Sequence, residues 1–143
     1  MPTLKVEIVT PESALWVGEA KSLTARSSDG GFTILSQHTE TVGDIIAGIV
    51  RVETDDGDVS FAVHGGYFQV GKGEGDGVTL VTVLAGVAER STDIDVPRAL
   101  AAKESAEAAL AAPTSGDPGD SPSHLWAHSA LERAELRLLA AGK

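Results

Sequence analysis

Near its amino terminus the sequence runs Leu4-Lys5-Val6-Glu7-Ile8, in which apolar and polar side chains alternate strictly. Because successive side chains of a strand point to opposite faces, this alternation predicts a strand that buries its three apolar residues. Similar short runs follow up to residue 84, separated by turn-forming residues: Ala14–Val17, Ser22–Arg26, Phe32–Leu35, Ile49–Glu53, Val59–Val63, Tyr67–Val70 and Val78–Leu84. Many short strands at this spacing are typical of a β-sandwich or a flattened barrel.

Two glycine-containing segments have distinct interpretations. Asp56-Gly57 lies between two alternating runs and predicts a tight hairpin. The segment 71–77 is richer in glycine, and such loops can cradle phosphate when a Lys is followed by Ser or Thr at the start of a helix. Here Lys72 is followed by Gly73 and then by a predicted strand, so we interpret the segment as a hairpin loop.

After Glu89 the pattern changes from strands to helices. Asp95 is placed to cap a helix whose first turn contains Pro97 and which continues through the alanine-rich segment 98–112. Residues 113–123, rich in Pro, Gly, Ser and Asp, predict a linker. A second helix is predicted over 124–141, with a narrow apolar seam at Leu131, Ala134 and Leu138. The sequence therefore predicts a domain over 1–88 and a helical hairpin over 89–143.

Composition limits the classes of partner. The 143 residues include 11 Lys and Arg against 21 Asp and Glu, for a net charge of −10, and no Cys. This acidic balance predicts no nucleic-acid binding and no direct lipid binding, since both use clustered basic residues. The absence of Cys excludes disulfides and thiolate sites. No basic start with a continuous apolar run marks the first ten residues, so we expect a soluble, intracellular chain.

The order of these segments identifies a family. The chain resembles the epsilon subunit of bacterial F-type ATP synthase over nearly its whole length. The segments that carry the resemblance are Val6–Glu12, Gly30–His38, Gly48–Val52, Ala62–Val70, Val81–Ala85 and Ile94–Ala99. The resemblance implies an all-β N-terminal sandwich of about ten strands followed by a C-terminal two-helix antiparallel hairpin, which agrees with the periodicity.

The implied function is mechanical and not enzymatic. By resemblance, the chain is a central-stalk subunit that joins gamma to the ring of c subunits on the cytoplasmic face of the membrane. Its hairpin would lie folded, or extend toward the catalytic alpha and beta subunits and inhibit ATP hydrolysis. The alternative is a free-standing β-sandwich module that binds a ligand such as a carbohydrate, but six aromatic residues offer few stacking platforms. A small hydrolase has the least support.

The resemblance also implies a nucleotide site on the hairpin, for a regulatory ATP and not for a required cofactor. The family motif matches Ile94, Asp95, Arg98 and Ala99, and its partner positions are Glu89, Arg133 and Arg137. Neither Arg133 nor Arg137 has an acid three or four residues away, so each favours an outside anion. Alternatively, the two arginines form ion pairs with Glu104, with Glu107 or with acids of the sandwich. The alternative role of Asp95 is to cap the helix.

A second set of residues is assigned to partner contact. By resemblance the loop 30–41 touches the c ring or gamma through Gly30, Gly31 and His38. Ser36-Gln37 stands where Pro-Gly usually precedes the histidine, so the conformation of this loop is not settled by the resemblance. Trp126 is interpreted as an anchor on the sandwich or on gamma.

Two histidine-containing segments receive structural interpretations. His124, His128 and Glu132 follow one another at i+4 spacing, but the segment lacks the glutamate of a metalloprotease motif, so we predict no metal site. His64-Gly65-Gly66 is interpreted as a tight turn or bulge in which glycine is needed for backbone reasons.

Overall fold

Ten strands in two sheets make up the first part of the chain in the computed structural model, which describes residues 3–111 and 122–142, with backbone alone for 122–125. One sheet has the order β2-β1-β9-β8-β5 and the other the order β10-β7-β6-β3-β4. The strands are β1 Thr3–Val9, β2 Ala14–Ala20, β3 Ser22–Ser27, β4 Gly30–Leu35, β5 Thr41–Ile45, β6 Gly48–Thr54, β7 Gly57–Val63, β8 Gly66–Lys72, β9 Val78–Ala85 and β10 Ala88–Arg90.

The alternation in β1 decides which face enters the core. Leu4, Val6 and Ile8 are buried, and β1 runs parallel to β9 and antiparallel to β2. Inward-facing side chains of both sheets form one hydrophobic cluster. The ring of Phe32 packs against this cluster, with its centroid 4.7 Å from the centroid of the Phe68 ring. The predicted sandwich is therefore confirmed, with its core between the two sheets.

Turn chemistry predicted the hairpins well and the two shortest strands poorly. The hairpin at Asp56-Gly57 is confirmed, because Thr54 pairs with Gly57, which has a φ of 118°. Periodicity alone missed β5 and β10. The first contains Gly43, against which the Phe68 ring packs, and the second has only three residues, so neither shows a clear alternation.

Gly65 and Gly66 are both required by the backbone, as predicted. Gly65 has a φ of 104°, in the region that favours glycine. Gly66 begins β8, where a Cβ atom would collide with the carbonyl oxygen of Leu84 on β9. The pair therefore turns the chain and lets two backbones approach closely.

Two helices follow: α1 Val96–Ala111 and α2 Pro122–Ala140. They pack against each other, and their buried positions are mainly small: Ala99 and Ala106 on α1, and Ala127, Ala134 and Leu138 on α2. Of the predicted seam, Ala134 and Leu138 are buried, whereas Leu131 is half-buried. The predicted linker lies mostly outside the described residues, and α2 begins two residues before the predicted start at His124.

The chain divides into two compact units, 1–91 and 92–143. β10 pairs with β7 and so belongs to the first unit. A short 3-10 helix, Ser91–Asp93, lies at the division. Among the described residues, no helix is long and apolar enough to cross a membrane.

Candidate functional site

The motif predicted from residues 94–99 forms the start of α1. The Asp95 carboxylate accepts a hydrogen bond from the Arg98 amide at 3.1 Å, and the Asp95 carbonyl accepts one from the Ala99 amide at 3.0 Å. Asp95 is thus the N-cap of α1, as predicted. Ile94 and Ala99 are buried, whereas the Arg98 side chain is exposed. The motif therefore combines two packing residues with a cap and one outward guanidinium.

The two predicted arginines of α2 lie one turn apart, and their surroundings differ. Arg133 is exposed, and no acid of the described residues forms an ion pair with it, Glu104 and Glu107 included. Arg137 is half-buried and engaged in an interaction, so it is not free. The pairing with Glu104 or Glu107 that we considered as an alternative to anion binding is therefore not formed at Arg133.

Glu89 lies in the other unit. It sits on β10, opposite Ala62 of β7, and is also engaged in an interaction. The remaining predicted nucleotide residues all belong to the second unit: Ile94, Asp95, Arg98, Ala99, Arg133 and Arg137. These six residues belong to the same unit, with four at the start of α1 and two on α2.

The segment 30–41, a loop by resemblance, consists of the strand predicted over Phe32–Leu35 and a connection that follows it. Gly30 to Leu35 form β4 and pair fully with β3, because Phe32 and Ile34 alternate toward the core. Only residues 36–40 form a turn, in which the exposed His38 places Nδ1 2.8 Å from the Thr39 carbonyl oxygen. Gly30 and Gly31 therefore lie at one end of β4 and His38 beyond the other, so they do not form one local contact.

The histidines of α2 make a side-chain pair. His128 Nε2 lies 3.3 Å from Glu132 Oε1 across one turn, and both side chains are exposed. The side chain of His124 lies outside the described residues. Groups of three or more potential metal ligands do not occur in the part of the chain that the structure describes.

An open apolar surface on the first unit was missed by sequence reasoning. On the outer face of the sheet β2-β1-β9-β8-β5, Tyr67 pairs with Leu84, and their exposed fractions are 63% and 48%. Val42 of β5 and Val17 of β2 are exposed as well. The signal was present in the sequence, since every second residue of β8 and β9 is inward-facing, but Tyr67 and Leu84 were assigned no role there.

Acidic groups accompany these apolar side chains. Tyr67 pairs with Asp44 of β5, and Val17 pairs with Glu7 of β1. We call the surface formed by Val17, Val42, Tyr67, Leu84, Glu7 and Asp44 the outer patch. Large exposed apolar patches with polar neighbours mark interaction sites in soluble proteins.

Architecture and surface define the class of protein: a ten-strand β-sandwich that carries a pair of helices. Comparison with protein families matches both parts. Residues 3–91 match the beta-sandwich domain of the ATP synthase delta/epsilon chain, and residues 92–142 match its long alpha-helix domain. The chain belongs to the ATP synthase delta/epsilon chain family, as the resemblance predicted.

Individual relatives match most or nearly all of the chain. The chain is 39% identical to the ATP synthase epsilon chain of Bordetella petrii over 142 residues, which cover 99% of this chain and 89% of the relative. It is 40% identical to the epsilon chain of Brevibacillus brevis over 111 residues, or 77% of this chain and 80% of that one. A free-standing sandwich module is not supported by these matches.

Solved structures share the fold. A chain of the Euglena gracilis mitochondrial ATP synthase, in a structure of OSCP, F1 and the c-ring, matches with a TM-score of 0.75 and 22% identity. The match covers 100% of this chain and 83% of that chain. A chain of the Tetrahymena thermophila central stalk and c-ring matches with a TM-score of 0.52 and 13% identity, covering 96% of each.

Proposed function

We propose that this chain is a central-stalk subunit of an F-type ATP synthase that couples gamma to the c ring and has no catalytic site of its own. The observation that carries the proposal is the family match of both units in their expected order. The proposed location is the cytoplasmic face of the membrane, where the chain is held by protein partners. An acidic surface suits that role, because it can pair with basic loops of a partner without binding lipid.

The outer patch is the surface that we assign to a stalk partner, with gamma as the first candidate. Tyr67 and Leu84 lie side by side on paired strands, Asp44 supplies charge beside Tyr67, and Glu7 supplies charge beside Val17. A central apolar contact with polar groups around it is the usual anatomy of a protein interface.

Binding to purified gamma tests this assignment. Tyr67→Thr together with Leu84→Thr removes the central apolar area while keeping residues that favour strands. We expect the affinity for gamma to fall at least tenfold. The matched control is Leu35→Thr, which changes an exposed leucine on β4 of the other sheet and should leave the affinity unchanged. Absence of gamma binding by the parent chain would refute the stalk role.

The second unit is proposed to be the regulatory part, which inhibits ATP hydrolysis when it extends toward the alpha and beta subunits. Its helices bury mainly alanine, and apolar burial stabilises by only about 25 cal/mol per Å², so the pair is held weakly. In the assembled ATP synthase, deletion of 92–143 should raise ATP hydrolysis while the sandwich still joins the stalk. Unchanged hydrolysis would remove the inhibitory role and leave the coupling role in place.

A regulatory ATP on the second unit is proposed as the ligand of the arginines. Arg133 is exposed and unopposed by a described acid, and Arg98 points outward from the first turn of α1. Guanidinium groups bind phosphate through paired hydrogen bonds. Calorimetric titration of ATP into the chain and into the variant Arg133→Ala with Arg137→Ala tests this, and equal affinities in the two would exclude these residues as the site.

A further inference from the structure

The turn 36–40, which connects β4 to β5, contains a backbone conformation that its residue disfavours. Gln37 has a φ of 67°, and every other positive φ among the described residues belongs to a glycine. Residues with a side chain adopt this left-handed conformation at a cost, whereas glycine adopts it freely. By resemblance, Pro-Gly usually stands at positions 36 and 37. In this chain another interaction must therefore hold the turn in its shape.

Thr79 of β9 provides that interaction from the opposite sheet. It lies on the same face of β9 as the buried Val81 and Val83, at a position where an apolar residue is expected. Its hydroxyl accepts a hydrogen bond of 2.8 Å from the Gln37 amide. A buried hydroxyl costs free energy unless it is hydrogen-bonded. The polar residue in the core and the strained residue in the turn therefore satisfy each other.

The turn that this bond holds is presented to solvent. Residues 37–40 are exposed. Two further hydrogen bonds order the turn, from the His38 amide to the Leu35 carbonyl at 3.2 Å and from the Thr41 hydroxyl to the Thr39 carbonyl at 2.8 Å. Strained backbone persists only where the surrounding structure holds it, and it concentrates at sites whose shape is used. A turn that is ordered beforehand binds a partner without a further loss of conformational freedom.

The turn and the centre of the outer patch lie toward opposite ends of β9. Thr79 is the second residue of this strand and Leu84 is the second from its end, so they are ~17 Å apart at about 3.3 Å per residue. The proposed stalk role requires two partners, and the outer patch is assigned to gamma. The turn is therefore left for the c ring.

We propose that Thr79 is a positioning residue for the c ring contact, because its hydroxyl holds Gln37 in the left-handed conformation that glycine would otherwise supply. The inference rests on the proposed stalk role and adds to it how this chain keeps its contact turn without Pro-Gly. The partner surface is a polar loop, since the exposed side chains of the turn are those of Gln37, His38, Thr39 and Glu40, which donate or accept hydrogen bonds.

Removing the hydroxyl should weaken c ring binding through the shape of the turn. The cost of a left-handed residue corresponds to a factor of about 5 to 30 in population. A partner that binds only one conformation loses affinity in proportion to the population of that conformation. We therefore expect Thr79→Val to weaken c ring binding about 5- to 30-fold. Thr79→Ser keeps the hydroxyl and should bind like the parent, as should the control Thr82→Val on the same strand.

Combining Thr79→Val with Gln37→Gly separates the shape of the turn from the strength of the bond. Glycine adopts the left-handed conformation without the cost, so the turn regains its shape although its hydrogen bond is still missing. The c ring affinity should return to within about twofold of the parent. Hydrogen exchange of the amide at residue 37, which should be slow in the parent, should remain fast in this double variant. A residue that only stabilises the sandwich would not give this combination.

A second pair of variants leaves the core untouched and so remains informative if Thr79→Val fails to fold. Gln37→Gly and Gln37→Val both remove the amide side chain, but they have opposite conformational preferences. A β-branched residue is a marked outlier at positive φ. We expect Gln37→Gly to keep the parent's c ring affinity and Gln37→Val to lose at least fivefold. Equal affinities in the two would overturn the inference.

The affinities are measured by biolayer interferometry, with full-length chains and the purified c ring in detergent micelles, and gamma is measured alongside. Gamma should bind every variant equally. Equal weakening of both partners by Thr79→Val, unchanged c ring affinity in Thr79→Val, or no recovery in the double variant would each overturn the positioning role. A parent chain that binds gamma but not the c ring would end this inference and keep the gamma contact. Binding of neither partner would end the stalk role itself.

Discussion

The backbone amide of Gln37 donates a hydrogen bond of 2.8 Å to the hydroxyl of Thr79, which joins the turn after β4 to β9 of the opposite sheet. Gln37 has a φ of 67°, a left-handed conformation that side chains other than glycine adopt at a cost of about 1–2 kcal/mol. Thr79 is the buried polar side chain among the described residues, with 7% of its surface exposed. The bond therefore holds a strained turn in place from inside the sandwich.

Replacing Gln37 by glycine should stabilise the chain. Gln37→Gly relieves the left-handed strain but gives the unfolded chain more freedom, so we expect a net gain of about 0.5–1 kcal/mol in the free energy of unfolding. Urea denaturation followed by circular dichroism measures it. Gln37→Ala is the control, since alanine keeps the strain and should give no gain. A lower midpoint for Gln37→Gly than for the parent would contradict the expectation.

Removing the hydroxyl of Thr79 should have the opposite effect. Thr79→Val leaves the Gln37 amide without its buried acceptor, and an unsatisfied group of this kind costs about 1–3 kcal/mol. Thr82→Val serves as the control, because Thr82 lies on the same strand and pairs with Gln69 on the outer face. Denaturation midpoints that fall equally in both variants would show that the bond to Gln37 contributes nothing specific.

This turn also shows where sequence reasoning reached its limit. Ser36-Gln37 was recognised as a departure from Pro-Gly, but the partner of the Gln37 amide lies 42 residues away on another sheet. Local patterns contain no information about a contact of that range. By contrast, Leu4-Lys5-Val6-Glu7-Ile8 predicted its own strand and buried face, because alternation is a local property.

The candidate site was likewise predicted in its local features and missed in those that depend on the fold. Asp95 was predicted as a cap from its position before Pro97, and the hydrogen bond to Arg98 confirms it. The one-turn spacing of Arg133 and Arg137 follows from the sequence. Trp126 was assigned to anchoring because the sequence does not reveal that its side chain is exposed. The outer patch was missed because Tyr67 and Leu84 become neighbours only when β8 pairs with β9.

A methyl group at Gly66 should be strongly destabilising. The Cβ of alanine would meet the Leu84 carbonyl oxygen and the Ala85 backbone, which cannot move without disturbing the pairing of β8 with β9. We expect Gly66→Ala to lower the free energy of unfolding by about 2–4 kcal/mol. Gly71→Ala, on the same strand and with open space around the position of its Cβ, should change it by less than about 1 kcal/mol. Thermal denaturation of both variants provides the comparison. A loss of stability in Gly66→Ala as small as that in Gly71→Ala would show that β8 and β9 separate easily.

The cap at Asp95 provides a test of the second unit that separates stability from ligand binding. Asp95→Ala removes the acceptor of the Arg98 amide and should destabilise α1 by about 1 kcal/mol, whereas Asp95→Asn keeps a good cap and should cost little. Hydrogen exchange of the amides in the first turn of α1 measures this locally, and exchange should accelerate in the alanine variant alone. If the carboxylate serves only as a cap, the ATP affinity of each variant will follow the stability of its α1. Asp95→Asn will then bind ATP about as well as the parent, and Asp95→Ala will bind it more weakly. Loss of ATP affinity in Asp95→Asn, with slow exchange preserved, would instead assign the Asp95 charge a direct part in nucleotide binding.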